Sequence, residues 1–169
     1  MEYSFRQAQQ VDAPQIWEIL ARAIQRRKED GSNQWQDGYP NPAVVDGDIE
    51  KGQGYVLVDG HTIAGYCAIW INNEPAYAKL NGKWLTEGDF VVYHRVVVAE
   101  SHLGKGLAQK MLLYIEDFAR QHMIRSVKAD TNFDNAGMLN IFRKLGYTYC
   151  GEVVFRGTPR KAFEKVLVD

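Results

Sequence analysis

Residues 89–119 read Asp-Phe-Val-Val-Tyr-His-Arg-Val-Val-Val-Ala-Glu-Ser-His-Leu-Gly-Lys-Gly-Leu-Ala-Gln-Lys-Met-Leu-Leu-Tyr-Ile-Glu-Asp-Phe-Ala. Phe90 to Val98 is rich in β-branched and aromatic residues, which predicts a buried strand. Leu107, Met111, Ile115 and Phe118 then recur at spacings of four and three, the apolar face of a helix. Between strand and helix lies Leu103-Gly104-Lys105-Gly106-Leu107-Ala108. Two glycines let the backbone turn sharply and approach a ligand closely. The first helical turn leaves its N–H groups without intrahelical partners, and the macrodipole makes that end positive. A strand entering a glycine-rich helix start is therefore suited to an anion, phosphate above all. Without a ligand, the same glycines would serve only packing.

The rest of the chain fits around this centre. Its 169 residues match one domain over 1–169 with a sizeable core, and 46% hydrophobic with 24% charged residues is an ordinary globular composition. A net charge of −1 without basic blocks argues against nucleic-acid binding by phosphate neutralisation. Cys67 and Cys150 sit in apolar runs outside any metal-ligand spacing and read as reduced, buried thiols, with no metal expected. No apolar run approaches the ~18 residues of a membrane span, and the N-terminus lacks the order of a signal peptide, so a cytoplasmic location is expected.

Tyr3–Arg6 alternates as a first strand, and Asp12 is expected to cap a helix, with Gln15 as capping-box partner and Pro14 in the first turn. Arg26, Arg27 and Lys28 complement that helix's C-terminal dipole, and Gly31 ends it. A loop over 32–42 carries Trp35 and Tyr39, and a second helix follows from Ala43 to Lys51. Gly54–Asp59 and His61–Ile71 are strands joined by an Asp-Gly hairpin signal. Residues 72–88 read as a loop with Tyr77 and Trp84. After the central segment come a strand at Ser126–Asp130, a polar turn, a helix at Ala136–Leu145, and strands at Tyr147–Phe155 and Lys161–Val168. The helix between the fourth and fifth strands demands a parallel crossover, whereas hairpins give antiparallel pairs.

The glycine turn fits neither the Walker A loop nor the Gly-x-Gly-x-x-Gly dinucleotide fingerprint, where Gln109 replaces the third glycine. It resembles the pyrophosphate loop of the GNAT-type N-acetyltransferases: Arg or Gln, two residues, Gly, one residue, then Gly or Ala. Leu103 departs from the first position. Asn135-Ala-Gly-Met-Leu-Asn-Ile-Phe-Arg-Lys-Leu-Gly-Tyr147 is similar to the family's second motif, an Asn at a helix start leading to Leu-Tyr-Glu-Lys-Leu-Gly-Phe. The element order matches along the whole chain. The resemblance implies an α+β fold: a mixed, mostly antiparallel seven-stranded sheet flanked by about four helices, its fourth and fifth strands splayed.

It also implies transfer of an acetyl group from acetyl-CoA, as co-substrate, to a primary amine by direct attack. Val96 and Val98 would pair with the pantetheine arm, Gly104, Lys105, Gly106, Leu107 and Ala108 would hold the pyrophosphate, and Asn135 would hydrogen-bond the arm. Lys105 reads equally well as a solvated loop lysine. The family often protonates the leaving thiolate from a Tyr in the second motif; Phe142 stands there and donates nothing. Either another group serves, or the thiolate leaves unassisted. For the base, His94 has a suitable intrinsic pKa but also reads as a core histidine. Asp130 would act through a water, or cap the following turn. Tyr147 and Tyr149 are candidate acids or core residues, and Arg95 faces either an anionic acceptor or a surface partner. Trp35, Tyr39, Tyr77 and Trp84 would line the acceptor pocket, although Trp35 and Tyr39 read equally as anchors of their loop. Aromatic walls suit a cationic or flat acceptor, and the lack of a strongly acidic loop weighs against polycations. The acceptor is a small-molecule or peptide amine; many members of such folds form homodimers. A non-catalytic acyl-CoA-binding module, or a structural domain that binds no nucleotide, are the alternatives.

Overall fold

The computed structural model describes residues 2–168. Strands are β1 (Tyr3–Gln7), β2 (Gly54–Asp59), β3 (Thr62–Ile71), β4 (Asn81–Gly82), β5 (Phe90–Val98), β6 (Ser126–Thr131), β7 (Thr148–Phe155) and β8 (Thr158–Val166). Helices are α1 (Ala13–Glu29), α2 (Pro42–Glu50), α3 (Leu107–Gln121) and α4 (Ala136–Lys144). The strand order is β1-β2-β3-β5-β6-β8-β7-β4. This is the expected open, mixed α+β sheet with four helices, but among the described residues it has eight strands where the sequence predicts seven. The fourth and fifth predicted strands are β5 and β6. They pair in parallel from Phe90↔Ser126 to Val92↔Lys128 and both continue past that last pair, which is the expected parting.

The extra strand is β4. It lies antiparallel to β7, with Asn81 opposite Glu152 and Gly82 opposite Gly151. A Cβ on Gly82 would fall 2.0 Å from the Cys150 carbonyl oxygen, and one on Gly151 would fall 2.2 Å from that of Asn81. The two backbones meet only because both residues lack side chains. Two residues carry no alternation, so no period marks this strand.

By its contacts the chain falls into two compact units. The first takes the chain up to Ile69 together with Arg95–Tyr114; the second takes Trp70–His94 and the chain from Ile115 onward. In the first, side-chain alternation along β2 sends Val56 and Val58 into a core with Ile16, Leu20 and Ala23 of α1, and Leu57 into one with Leu107 and Met111 of α3. A Cβ on Gly65 of β3 would lie 2.9 Å from Met111 Cε and 3.1 Å from the Val97 carbonyl oxygen. Glycine at 65 thus lets α3 settle on the sheet, and the loop before α3 is fixed with it. In the second unit Tyr77, Val92, Val153 and Ala162 are buried together, with Trp70, Trp84, Phe90 and Phe155 packed around them.

Helix boundaries follow the sequence within one or two residues, with one correction at α1. Asp12 does not cap it through its side chain: Gln9 and Asp12 form the capping box of a preceding 3-10 turn, Gln10–Asp12, and Asp12 also receives Arg6 Nη1 at 2.8 Å. The Arg6 hydrogen bonds hold the Asp12 carboxyl below its usual range. Cys67 and Cys150 are buried free thiols, and burial pushes both above the ordinary thiol range. Among the described residues no helix is long and apolar enough to cross a membrane, and no group of His, Cys, Asp and Glu is placed to hold a metal.

Candidate active site

The first unit carries the glycine loop. A 3-10 turn, Glu100–His102, leads into it. His102 is buried; its Nε2 lies 2.9 Å from Asp59 Oδ2 at the end of β2, and its Nδ1 2.7 Å from Ser101 Oγ. These contacts pin the approach to the loop. Gly104 and Gly106 have φ of 79° and 72°, the left-handed region in which glycine is the unstrained residue. No atom lies within 4 Å of a Cβ built at either, so the space beside both is open. Leu107 is buried at the start of α3, while Leu103, Lys105 and both glycines are exposed. The exposed loop ahead of the positive end of a 15-residue helix fits a pyrophosphate. Val96 and Val98, half-buried on β5, belong to the same unit.

Arg95 precedes them with φ 59°, a conformation that costs a non-glycine residue about 1–2 kcal/mol. It is neither on the surface nor turned to an acceptor, as the sequence reading allowed. Arg95 and Asp48 side chains are each 7% exposed and paired twice, Nη2 to Oδ1 at 2.6 Å and Nε to Oδ2 at 3.0 Å. Tyr66 OH donates to Asp48 Oδ2 at 2.6 Å, and Arg95 Nη1 donates to Tyr39 OH. Burial, then the Asp48 charge, push the Tyr66 phenol above its ordinary range. This network holds the irregular backbone of β5.

The second unit brings together His94, Asp130 and a residue the sequence reading missed, Glu74. His94 Nε2 lies 2.8 Å from Glu74 Oε2; a carboxylate only accepts, so the imidazole donates there. His94 Nδ1 is 3.8 Å from Asp130 Oδ2, beyond hydrogen-bond reach. Asp130 is committed elsewhere: Oδ2 accepts from Tyr77 OH at 2.5 Å and Oδ1 from Arg160 Nε. It therefore does not cap the turn after β6. Burial, followed by the Asp130 charge, keeps the Tyr77 phenol well above its ordinary range, so it remains a donor. Trp70, Phe155 and Tyr77 surround the imidazole at 5.1, 5.7 and 6.4 Å between ring centroids. Glu74 opens onto a cavity of about 410 Å³ whose wall includes Tyr77, Trp84, Phe90 and Lys128.

The remaining expected site residues sort as follows. Tyr77 and Trp84 line that cavity. Trp35 is buried in the first unit's core with Arg27 4.0 Å above its ring, which fits the anchoring alternative, because a flat apolar ring gains more from burial than from facing water. Tyr39 packs against the same core and meets Arg95. Tyr147 is buried, its ring 4.9 Å from Phe142 and its hydroxyl 3.0 Å from Tyr93 OH, and burial raises its pKa. Tyr149 is half-exposed. Phe142 is enclosed by Tyr147 and Phe163. Asn135 caps α4, its Oδ1 accepting from Met138 N at 3.1 Å. Glu74 and Lys128 are the two functional candidates absent from the sequence reading. A lysine between Val127 and Ala129 within a strand-like run was the signal for the second; Glu74 gave none.

Together, a splayed mixed sheet with a glycine loop ahead of α3 defines an acyltransferase fold. Residues 14–147 match the Acetyltransferase (GNAT) family, and the chain belongs to it; the family uses acetyl-CoA as acyl donor. Among its relatives is the uncharacterized N-acetyltransferase YesJ of Bacillus subtilis (strain 168), 25% identical over 145 residues, 83% of this chain and 78% of YesJ. A GNAT-family acetyltransferase of Streptococcus agalactiae 2603 superposes with a TM-score of 0.88 at 30% identity, over 99% of this chain and 96% of that one. YncA of Salmonella typhimurium, solved with its cofactor acetyl-CoA, superposes with a TM-score of 0.68 at 20% identity, over 99% and 95% of the two chains.

Proposed function

We propose that the protein transfers the acetyl group of acetyl-CoA to the primary amine of a small acceptor held in the Tyr77–Trp84–Phe90 cavity. The observation that carries the acceptor side is Glu74 at the wall of that cavity, hydrogen-bonded to His94. Gly104, Lys105, Gly106, Leu107 and Ala108 would hold the pyrophosphate, and Val96 and Val98 the pantetheine arm through their backbone. Bound acetyl-CoA supplies an activated thioester carbonyl.

An ammonium has no lone pair, so the acceptor must first lose a proton. Glu74 receives it, held in place by the Nε2–H that His94 donates to the same carboxylate. Asp130, fixed by Tyr77 and Arg160, lies 3.8 Å from the far nitrogen of His94 and acts only as a positioning residue for the ring. As the C–N bond forms and the C–S bond breaks, sulfur keeps the bonding pair. Glu74 passes the first proton to solvent and then takes the second amine proton as the amide forms. Phe142 donates nothing, and a thiolate with a pKa of about 8.5 leaves without that help.

The test is calorimetric titration with acetyl-CoA, wild type beside Gly106→Trp, followed by free-thiol release in the presence of an amine panel. Binding lost in the variant and amine-dependent thiol release support the reading. Failure of the wild type to bind overturns it. Binding without transfer to any amine or hydrolysis would instead mark an acyl-CoA-binding module.

A further inference from the structure

Lys128 lies in β6, opposite Val92 in one neighbouring strand and Glu164 in the other. Only 4% of the residue is exposed. Its ammonium stands 4.2 Å from the Phe90 ring centroid and 4.4 Å from that of Trp84. Those rings, Lys128 itself, Glu74 and, at the exposed rim, Glu87 all line one cavity. Tyr77 joins the two ends of this wall: its ring centroid is 5.0 Å from Trp84, 6.1 Å from Phe90 and 6.4 Å from His94.

Among the described residues no carboxylate pairs with this ammonium. Glu164 attracts it, but Glu164 commits its oxygens to Leu85 N at 2.7 Å, to Ser126 Oγ at 2.6 Å and to the Thr86 hydroxyl. Two aromatic faces attract a cation but do not replace its lost hydration. Accordingly, burial pulls the Lys128 pKa below the ordinary lysine range. The larger cavity of the first unit, about 560 Å³, differs: its Arg22 is already within 3.7 Å of Glu18 and 3.5 Å of Glu100.

We propose that Lys128 is the anion anchor of the acceptor pocket, and that the acceptor is a small amine which also carries a carboxylate. This rests on the acetyltransferase reading above. The acceptor's ammonium would meet Glu74 and its carboxylate Lys128, so the two ends of a zwitterion find opposite charges in one aromatic cavity. A diamine would instead bring a second cation against a buried one, a charge conflict that selects against it.

The experiment pairs α-amino acids with their own decarboxylated amines. These differ in the carboxylate alone. Binding of each is measured by titration and thermal shift in the presence of saturating coenzyme A, for wild type, Lys128→Met and Lys128→Arg. Acetyl-CoA binding by each protein is measured separately; its loss in the wild type would count against the acetyltransferase reading itself, and its retention in Lys128→Met shows that the variant is folded. The expected result is a wild-type preference for the acid-bearing member of a pair by about 30-fold or more, the lower end for losing one partner of a buried charge pair. That preference disappears in Lys128→Met and returns in part in Lys128→Arg. Equal binding of both members, preference for the decarboxylated amine, binding of neither while acetyl-CoA still binds, or a preference surviving Lys128→Met would each overturn the proposal.

Discussion

Asp48→Asn removes one charge and almost no volume, so its cost isolates the buried ion pair that stabilises the irregular stretch of β5. Asp48 accepts hydrogen bonds from Arg95 Nη2 at 2.6 Å, Arg95 Nε at 3.0 Å and Tyr66 OH at 2.6 Å. Both ionic side chains are 7% exposed, so solvent screens little of the interaction. Removing one member of such a pair leaves the other buried and uncompensated, which costs about 3–5 kcal/mol. Asparagine retains one acceptor oxygen but turns an N–H₂ group toward a guanidinium that only donates, so about 3 kcal/mol is expected. For a chain of this size about 1 kcal/mol moves Tm by about 2–4 °C, giving a fall of about 6–12 °C. Urea unfolding of Asp48→Asn, Arg95→Met and the double variant measures it. The double variant should lose much less than the sum of the single losses, because a neutral pair leaves no orphaned charge. A single-variant loss under about 1 kcal/mol, the value of an exposed ion pair, or strict additivity in the double variant, would refute the buried-charge account.

Three further outcomes are expected. Glu74→Gln should lower kcat for acetyl transfer by about 10²-fold or more while leaving acetyl-CoA affinity unchanged; an unaltered kcat assigns the proton to another group. Gly65→Ala drives a methyl against Met111 and the Val97 carbonyl and should cost about 1–3 kcal/mol by denaturant unfolding, with partial recovery in Gly65→Ala/Met111→Leu; an unchanged midpoint would show that α3 has room to shift. Of the nine tyrosines, the half-buried Tyr55 and the four buried ones, Tyr66, Tyr77, Tyr93 and Tyr147, have pKa values raised by burial above the unfolded value of about 10. Their neutral forms stabilise the fold in full below that pH, and the contribution is lost as pH rises above it, because the unfolded chain then binds fewer protons. Tyrosinate absorbance should therefore rise for part of the set first and for these four together with unfolding. A single gradual titration of all nine with the fold intact would contradict the burial assignment.

The segment from Phe90 to Ala119 was legible because its period changes from strand to helix across two glycines, and each half is long enough to show its period. The hairpin between β2 and β3 and the helix after Asn135 carried equally local signals. What stayed hidden depends on partners far along the chain. β4 exists because Gly82 can touch Gly151, a condition no window of sequence displays. Glu74 becomes meaningful only when β5 brings His94 to it, and Asp130 loses its expected freedom to Tyr77 and Arg160, 53 and 30 residues away. Trp35 could have lined a pocket or closed a core; only the position of α1 decides. The positive φ at Arg95 leaves no trace in a run of valines, since its support comes from Asp48.

The two cysteines have a practical consequence. Cys67 and Cys150 are both buried, and burial raises both thiols, so neither offers a thiolate to an alkylating reagent while the fold holds. A Lys105→Cys variant would place a single reactive sulfur on the exposed glycine loop. A fluorophore attached there would sense a pyrophosphate arriving at the loop, while the slow uptake of reagent by the two native thiols in the parent protein would time its opening.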